Sequence, residues 1–154
     1  MKKSESVPLA REYSPSPVVI PLSLGPSGTR VFEGLAGEPN GFILKAHFFI
    51  QAGCFVRARL MLELVQELGE ADEAVLVTLA SLQIREGLIT KAAQNLEPIR
   101  KGHSVYPQSL VCKAELERSL GGLERAMNFC NQHPDADLPE VKDHLCFLQS
   151  HVIT

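Results

Sequence analysis

The chain has 154 residues, a length that suits one domain with its own core rather than a two-domain enzyme. It carries 15 Lys and Arg against 18 Asp and Glu, with no basic run or basic helix to follow a phosphate backbone, so nucleic acid is not an expected partner. Aromatic residues make up only 6% of the chain, and the apolar content comes from Leu, Val, Ile and Ala, which favours helices.

The first 40 residues are predicted to form an extended, proline-rich arm. Six of the 10 prolines lie there, namely Pro8, Pro15, Pro17, Pro21, Pro26 and Pro39. Proline breaks helices because it lacks the amide donor and clashes with the preceding turn. Within the arm, PVVIPLSL from Pro17 is apolar enough to lie against another surface. No apolar stretch has the length of a signal peptide or a membrane span, so we expect a cytosolic protein.

Residues 41–154 are predicted to form an all-α domain of short helices in antiparallel pairs. Apolar residues recur at helical spacing, and breaks are expected at Gly53, near Gly69, at Gly87, between Gly102 and Pro107, at Gly121 and between Pro134 and Pro139. The last segment, LPEVKDHLCFLQSHVIT from Leu138, has apolar residues at intervals of three and four. We expect it to form a helix, with Asp137 as its N-cap, that covers the open end of the domain.

A 34-residue repeat runs through this domain. When copies are set at residues 39–72, 73–106 and 107–140, three columns each hold one residue type: Ala46, Ala80 and Ala114; Gly53, Gly87 and Gly121; Ala58, Ala92 and Ala126. The alanines would let helices approach closely, and each glycine would end a helix in the left-handed conformation. A large apolar residue follows each glycine (Phe55, Ile89 or Leu123) and is predicted to plug its helix pair from the turn side.

This period resembles that of the tetratricopeptide repeat. The expected fold is therefore all-α, with three tetratricopeptide-like helix-turn-helix repeats and a C-terminal capping helix after the arm. The resemblance implies a groove lined by the first helix of each repeat. Its residues here would be Ile43, His47, Ile50, Val77, Ser81, Ile84, Arg85, Val111, Glu115 and Arg118. This aliphatic stripe suits a bound amphipathic helix. Alternatively, Ile43, Val77 and Val111 are shallow core or are covered by the arm.

Four of the 7 phenylalanines fall in the first repeat: Phe42, Phe48, Phe49 and Phe55. A free terminal repeat ought to present a polar outer face, so something must cover these rings. The candidates are the apolar part of the arm, Val18 to Leu24, and a second chain that docks there.

Catalytic and metal-binding patterns are absent from the sequence. The histidines considered as metal ligands, His103, His133, His144 and His151, form no recognised metal motif. The cysteines at 54, 112, 130 and 146 show neither a Cys-x2-Cys pair nor a disulfide framework, so they are predicted to be free, buried thiols. We therefore expect neither an enzyme nor a cofactor nor a metal site.

Two runs and the tail resemble a family of secretion chaperones. LVTLASLQIREGLITKAA from Leu76, YPQSLVCKAELERSLGGLERAM from Tyr106 and the short C-terminal helix are similar to the type III secretion needle-subunit chaperones of the YscG and PscG family, over about residues 45 to 154. The resemblance implies a bacterial cytoplasmic chaperone that binds the amphipathic helix of the needle subunit, prevents its premature polymerisation and works with a small helical co-chaperone. The alternatives are a translocator-type secretion chaperone and a general tetratricopeptide-repeat scaffold.

Overall fold

A computed structural model describes residues 39–152, and every regular element in that part of the chain is a helix. The helices are α1 (Pro39–Gln51), α2 (Phe55–Glu67), α3 (Glu73–Arg85), α4 (Ile89–Leu96), α5 (Tyr106–Gln132) and α6 (Pro139–Ser150). Helix α5 is broken at Gly121 and Gly122, so its two halves act as a helix pair. The predicted all-α order of three pairs and a final helix is confirmed. None of these helices is long and apolar enough to cross a membrane.

The start of α1 lies two residues before the boundary expected from the sequence. Pro39 begins the helix, at a position where the missing amide hydrogen costs no intrahelical bond. The remainder of the predicted arm, including the segment from Val18 to Leu24, lies outside the described residues.

The alanine columns are buried as predicted. All six residues, Ala46, Ala80, Ala114, Ala58, Ala92 and Ala126, have 0% exposure. A larger side chain at any of these positions would push two packed helices apart, because protein interiors have no free space for it. The alanine columns therefore mark fully buried positions between packed helices.

Among residues 39–152 the hydrophobic core consists of three clusters, each shared between one helix pair and the next helix along the chain. The first cluster contains Ala46, Ile50, Ala58, Leu62, Val65, Val75, Leu79 and Leu82. The second cluster contains Val77, Ala80, Ile84, Ala92, Leu96, Ile99, Val105, Cys112 and Leu116. The third cluster contains Leu110, Ala114, Ala126, Cys130, Val141 and Leu148. Each pair buries one face against its successor, which is the packing of a helical solenoid.

The residues after the turns have the predicted plugging role. Phe55 packs against the first cluster, Ile89 against the second and Leu123 against the third. Each side chain is partly buried at the turn end of its own pair. Each helix pair therefore has one partly buried apolar side chain packed at its turn end.

The glycine column is confirmed in two turns and displaced in the third. Gly53 and Gly87 have φ values of 73° and 76°, the left-handed conformation expected at the end of a helix. In the third turn Gly121 has φ −147° and Gly122 takes the left-handed value of 84°. The first half of α5 extends one residue further, and a second glycine is available to make the turn.

Helix α6 covers the third pair, as predicted, but its N-terminus differs from the prediction. Val141 and Leu148 of α6 are buried in the third cluster. The residue before the helix is Leu138, which provides no side-chain cap, and Pro139 opens the first turn. Asp137 is instead exposed and makes an ion pair of 3.2 Å with Lys142. Proline is favoured at the first helical position because its fixed φ suits a helix and its missing amide hydrogen costs no hydrogen bond there. The helix can therefore begin without a side-chain cap.

Candidate functional site

The middle of the predicted groove is buried in the structure. Val77 is fully buried in the second cluster together with Ile84, and Ser81 is also buried. Ile50 belongs to the first cluster. These residues are buried because α3 packs on the first helix pair with one face and on α4 and α5 with another. Val77 is therefore inaccessible to a client, and Ile50, Ser81 and Ile84 each keep only 7% of their surface exposed.

The apolar residues at the two ends of the groove remain accessible. Ile43 on α1 is half-buried and packs against the first cluster. Val111 on α5 is half-buried as well, and it occupies the same repeat position as Ile43 and Val77. His47 is half-buried beside Phe48, with ring centroids 6.4 Å apart. The accessible surface of the groove is therefore divided between α1 and α5.

The charged residues of the groove are engaged within the chain. Glu115 is buried, and its carboxylate lies 3.0 Å from Nε of Arg118 and 2.9 Å from Nε2 of His144 on α6. The contact between Glu115 and His144 lacks well-aligned hydrogen-bond geometry. The guanidinium of Arg85 lies 4.0 Å from the centre of the Phe55 ring. Glu115 consequently joins α5 to α6 rather than facing a ligand.

The four phenylalanines of the first repeat do not form one exposed patch. Phe48 is 56% exposed, whereas Phe42, Phe49 and Phe55 are half-buried and pack against the first cluster. Phe48 therefore remains as the accessible aromatic side chain on α1, and the other three rings extend the core to the edge of the domain.

A larger apolar surface lies on α2, where the sequence interpretation placed no site. Val56, Leu60, Leu64 and Leu68 are between 43% and 53% exposed, and they follow one another at intervals of four along the helix and its C-cap. We call these four residues the α2 stripe. Ala58, Leu62 and Val65 on the same helix face the core. Apolar residues on two sides of one helix are the sequence signal of such a surface, although they do not tell which side faces the core.

A cavity of about 620 Å³ adjoins the α2 stripe between α2 and α4. Its lining residues are Leu60, Met61, Glu63, Leu64, Gln66, Glu67, Gln83, Lys91, Gln94 and Asn95. The amide of Gln66 donates to Asn95 at 2.6 Å, and the amide of Asn95 donates to Gln83 at 2.8 Å. Leucine side chains thus form one wall, and linked amide groups form part of the lining.

The cysteines are free, but only two of them are buried as predicted. Cys112 and Cys130 are buried, whereas Cys54 and Cys146 are exposed. Burial, followed by the nearby Glu115 carboxylate, raises the pKa of the Cys112 thiol to about 12. This thiol cannot supply a thiolate nucleophile at neutral pH. Among residues 39–152 no group of three or more His, Cys, Asp or Glu side chains is arranged to hold a metal ion.

No family model, curated protein or solved structure matches this chain.

Proposed function

We propose that this protein is a bacterial cytoplasmic type III secretion chaperone with tetratricopeptide-like repeats, which binds the amphipathic helix of the needle subunit and prevents its premature polymerisation. The observation that supports this proposal is the pair of accessible apolar positions, Ile43 and Val111, at equivalent places on the first helices of two stacked pairs. A helical client with one apolar face suits such a surface.

The proposed mechanism requires binding only. A needle subunit exposes an apolar helix face that would otherwise assemble with other subunits, and the chaperone covers that face. Burial of apolar area contributes about 25 cal/mol per Å², opposed by the entropy of ordering the client. The repeats serve as a rigid support that holds the apolar positions at fixed separations.

Binding to the needle subunit is the direct test. We expect the two proteins to copurify as a soluble complex, and we expect Ile43→Glu or Val111→Glu to weaken binding at least ten-fold while far-UV circular dichroism stays unchanged. Val152→Glu is a matched control, because Val152 is 56% exposed and lies beyond α6. Val77→Glu is unsuitable, since a carboxylate at this fully buried position would unfold the domain. Full binding by both groove variants would contradict the site.

A small helical co-chaperone is proposed to dock on α1 around Phe48. The half-buried rings of Phe42, Phe49 and Phe55 would form the edge of that contact. Phe48→Glu should then release the co-chaperone without releasing the needle subunit, as measured by pull-down of the ternary complex. Loss of both partners together would show that the two sites are not separate.

A translocator-type chaperone is the second candidate. The half-buried amide of Gln66 beside the cavity supports it, because a side-chain amide oxygen can accept a hydrogen bond from the backbone of an extended peptide. Nuclear magnetic resonance of the bound client segment distinguishes the two, since helical chemical shifts support the needle client and extended shifts support the translocator. Capture of several unrelated folded partners from the native cell would instead indicate a general scaffold.

A further inference from the structure

The arm enters the folded domain beside one end of the α2 stripe. Phe42 near the start of α1 and Val65 near the end of α2 pack in the same core cluster, so the two helices of the first pair run antiparallel. Pro39, the first residue of α1, therefore lies at the same end of this pair as Leu68, the last residue of the stripe. The chain that precedes Pro39 thus begins next to an exposed apolar surface.

One segment of the arm has the composition needed to cover that surface. Residues 13–29 contain no Asp, Glu, Lys or Arg, so they can lie on leucines without burying a charge. Within them, alternate residues from Val18 to Leu24 are Val, Ile, Leu and Leu, and the residues between include a proline at position 21. Proline favours an extended conformation of the residue before it. Because alternate side chains of an extended chain point to one side, this segment would have one fully aliphatic face.

The aliphatic face of this segment matches the α2 stripe in number and in spacing. Alternate residues of an extended chain are about 6.6 Å apart, and residues four apart on a helix are about 6.0 Å apart. Four such side chains therefore span about 20 Å in the segment and about 18 Å in the stripe. One side chain of the segment can thus lie on each residue of the stripe, and the four are Val18, Ile20, Leu22 and Leu24.

The connection to α1 favours this segment over a separate protein as the cover. The 14 residues from 25 to 38 can span up to about 46 Å, which is more than the length of the stripe. A short tether gives an effective concentration on the order of millimolar, so a contact too weak to hold a second protein at micromolar concentration still forms within the chain. We propose that residues 18–24 bind the α2 stripe of their own chain, extended, with Leu24 beside Leu68 and Val18 beside Val56. This inference does not depend on the proposed chaperone function.

Thiol labelling of the purified full chain measures whether the stripe is covered. Leu64 and Leu120 are 43% and 57% exposed within residues 39–152, but only Leu64 belongs to the stripe. The thiol of Leu64→Cys should therefore react about ten-fold more slowly than that of Leu120→Cys, as followed by mass spectrometry of the labelled peptides. Equal rates overturn the proposal, because the stripe would be open. Protection that grows between about 1 and 100 µM protein also overturns it, since a second copy would then be the cover.

Aspartates in the segment test which of its faces makes the contact. Ile20→Asp with Leu22→Asp places two charges against the stripe, so the thiol of Leu64→Cys should then lose its protection. Val19→Asp with Ser23→Asp is the matched control, because it adds the same two charges to the opposite face and should leave that thiol protected. The proposal is overturned if the first pair leaves the thiol protected or if the control pair exposes it.

A disulfide tests the direction of the segment along α2. In a chain that also carries Cys54→Ser and Cys146→Ser, Leu24→Cys with Leu68→Cys should form an intramolecular disulfide about ten-fold faster than Val18→Cys with Leu68→Cys. Only the first two positions are neighbours in the proposed arrangement, and a disulfide needs its two α-carbons within about 7 Å. Mass spectrometry of the unreduced monomer measures both rates. Equal rates, or the opposite order, overturn the proposed direction.

Discussion

At the scale of single residues, burial separates the four cysteines into two reactivity classes. Cys54 and Cys146 are exposed, whereas Cys112 and Cys130 are buried and their pKa values are raised by burial. We expect a thiol reagent at pH 8 to modify two cysteines rapidly and the other two only as fast as the domain opens. Mass spectrometry of the labelled peptides measures this. Rapid labelling of Cys112 in the native protein would contradict the packing between α3 and α5.

Asp135 links the beginning and the end of the third helix pair. Its carboxylate accepts hydrogen bonds from Lys101 at 2.6 Å and from the Tyr106 hydroxyl at 2.8 Å. The Lys101 bond, followed by the Tyr106 bond, lowers the pKa of Asp135 below its usual range. The stabilisation is therefore complete above the ordinary pKa of about 3.9 and is lost as pH falls through the lower, folded-state pKa.

Asp135→Asn is expected to lower the free energy of unfolding at pH 6 but to have a diminishing effect in more acidic solution. Urea denaturation of the variant and of the wild type, repeated between about pH 6 and pH 2.5, measures the difference. Asp137→Asn is a suitable control because Asp137 is 98% exposed. If the difference in unfolding free energy between wild type and Asp135→Asn grew as the pH fell, it would contradict a lowered pKa of Asp135 in the folded protein.

At the scale of the elements, the third turn should depend on Gly122 more than on Gly121. Gly122 has φ 84° and ψ −174°, a conformation that essentially only glycine adopts and that costs another residue about 1–3 kcal/mol. A β-carbon at Gly121 would mainly meet the flexible side chain of Arg125, which can move. We expect Gly122→Ala to reduce the free energy of unfolding by about 1–3 kcal/mol and Gly121→Ala by less, measured in urea. If Gly121→Ala were the more destabilising variant, Gly121 would be the residue that makes the turn, as the repeat column predicts.

The elements were more predictable from the sequence than the surfaces between them. Ala46, Ala80 and Ala114 identify close packing because only a small side chain fits between helices, and that constraint is visible in one sequence. Val77 shows the limit of the same reasoning. Its position in the repeat predicts a groove residue, but whether a neighbouring helix covers that position depends on the separation of the stacked pairs, which no spacing along the chain specifies.

The α2 stripe was missed for a related reason. Apolar residues occur around much of α2, and periodicity alone does not distinguish the side that faces the core from the side left exposed. Leu62 and Leu64 are both leucines two positions apart, yet one is fully buried and the other is exposed. Only the placement of α1 and α3 against the helix separates them.

At the scale of the whole molecule, the clusters make each helix pair dependent on its successor. The first cluster is completed by α3, the second by α5 and the third by α6. A repeat protein of this kind gains stability from interfaces between neighbours, so the last unit requires a cover that is not itself a full pair. Helix α6 supplies this cover with Val141 and Leu148.

Removal of α6 is therefore expected to unfold the third pair first. A chain truncated after residue 138 would expose Leu110, Ala114, Ala126 and Cys130, so we expect it to lose helix content, bind a hydrophobic dye and unfold at a lower urea concentration. Leu148→Ala tests the same contact more gently and should cost about 2–4 kcal/mol, because Leu148 is only 1% exposed. Truncation after Ser150, which retains α6, should leave circular dichroism and the urea midpoint unchanged. If the chain without α6 kept its full helix content and its urea midpoint, the third pair would be stable alone, and the stability of this protein would not depend on the contact between neighbouring units.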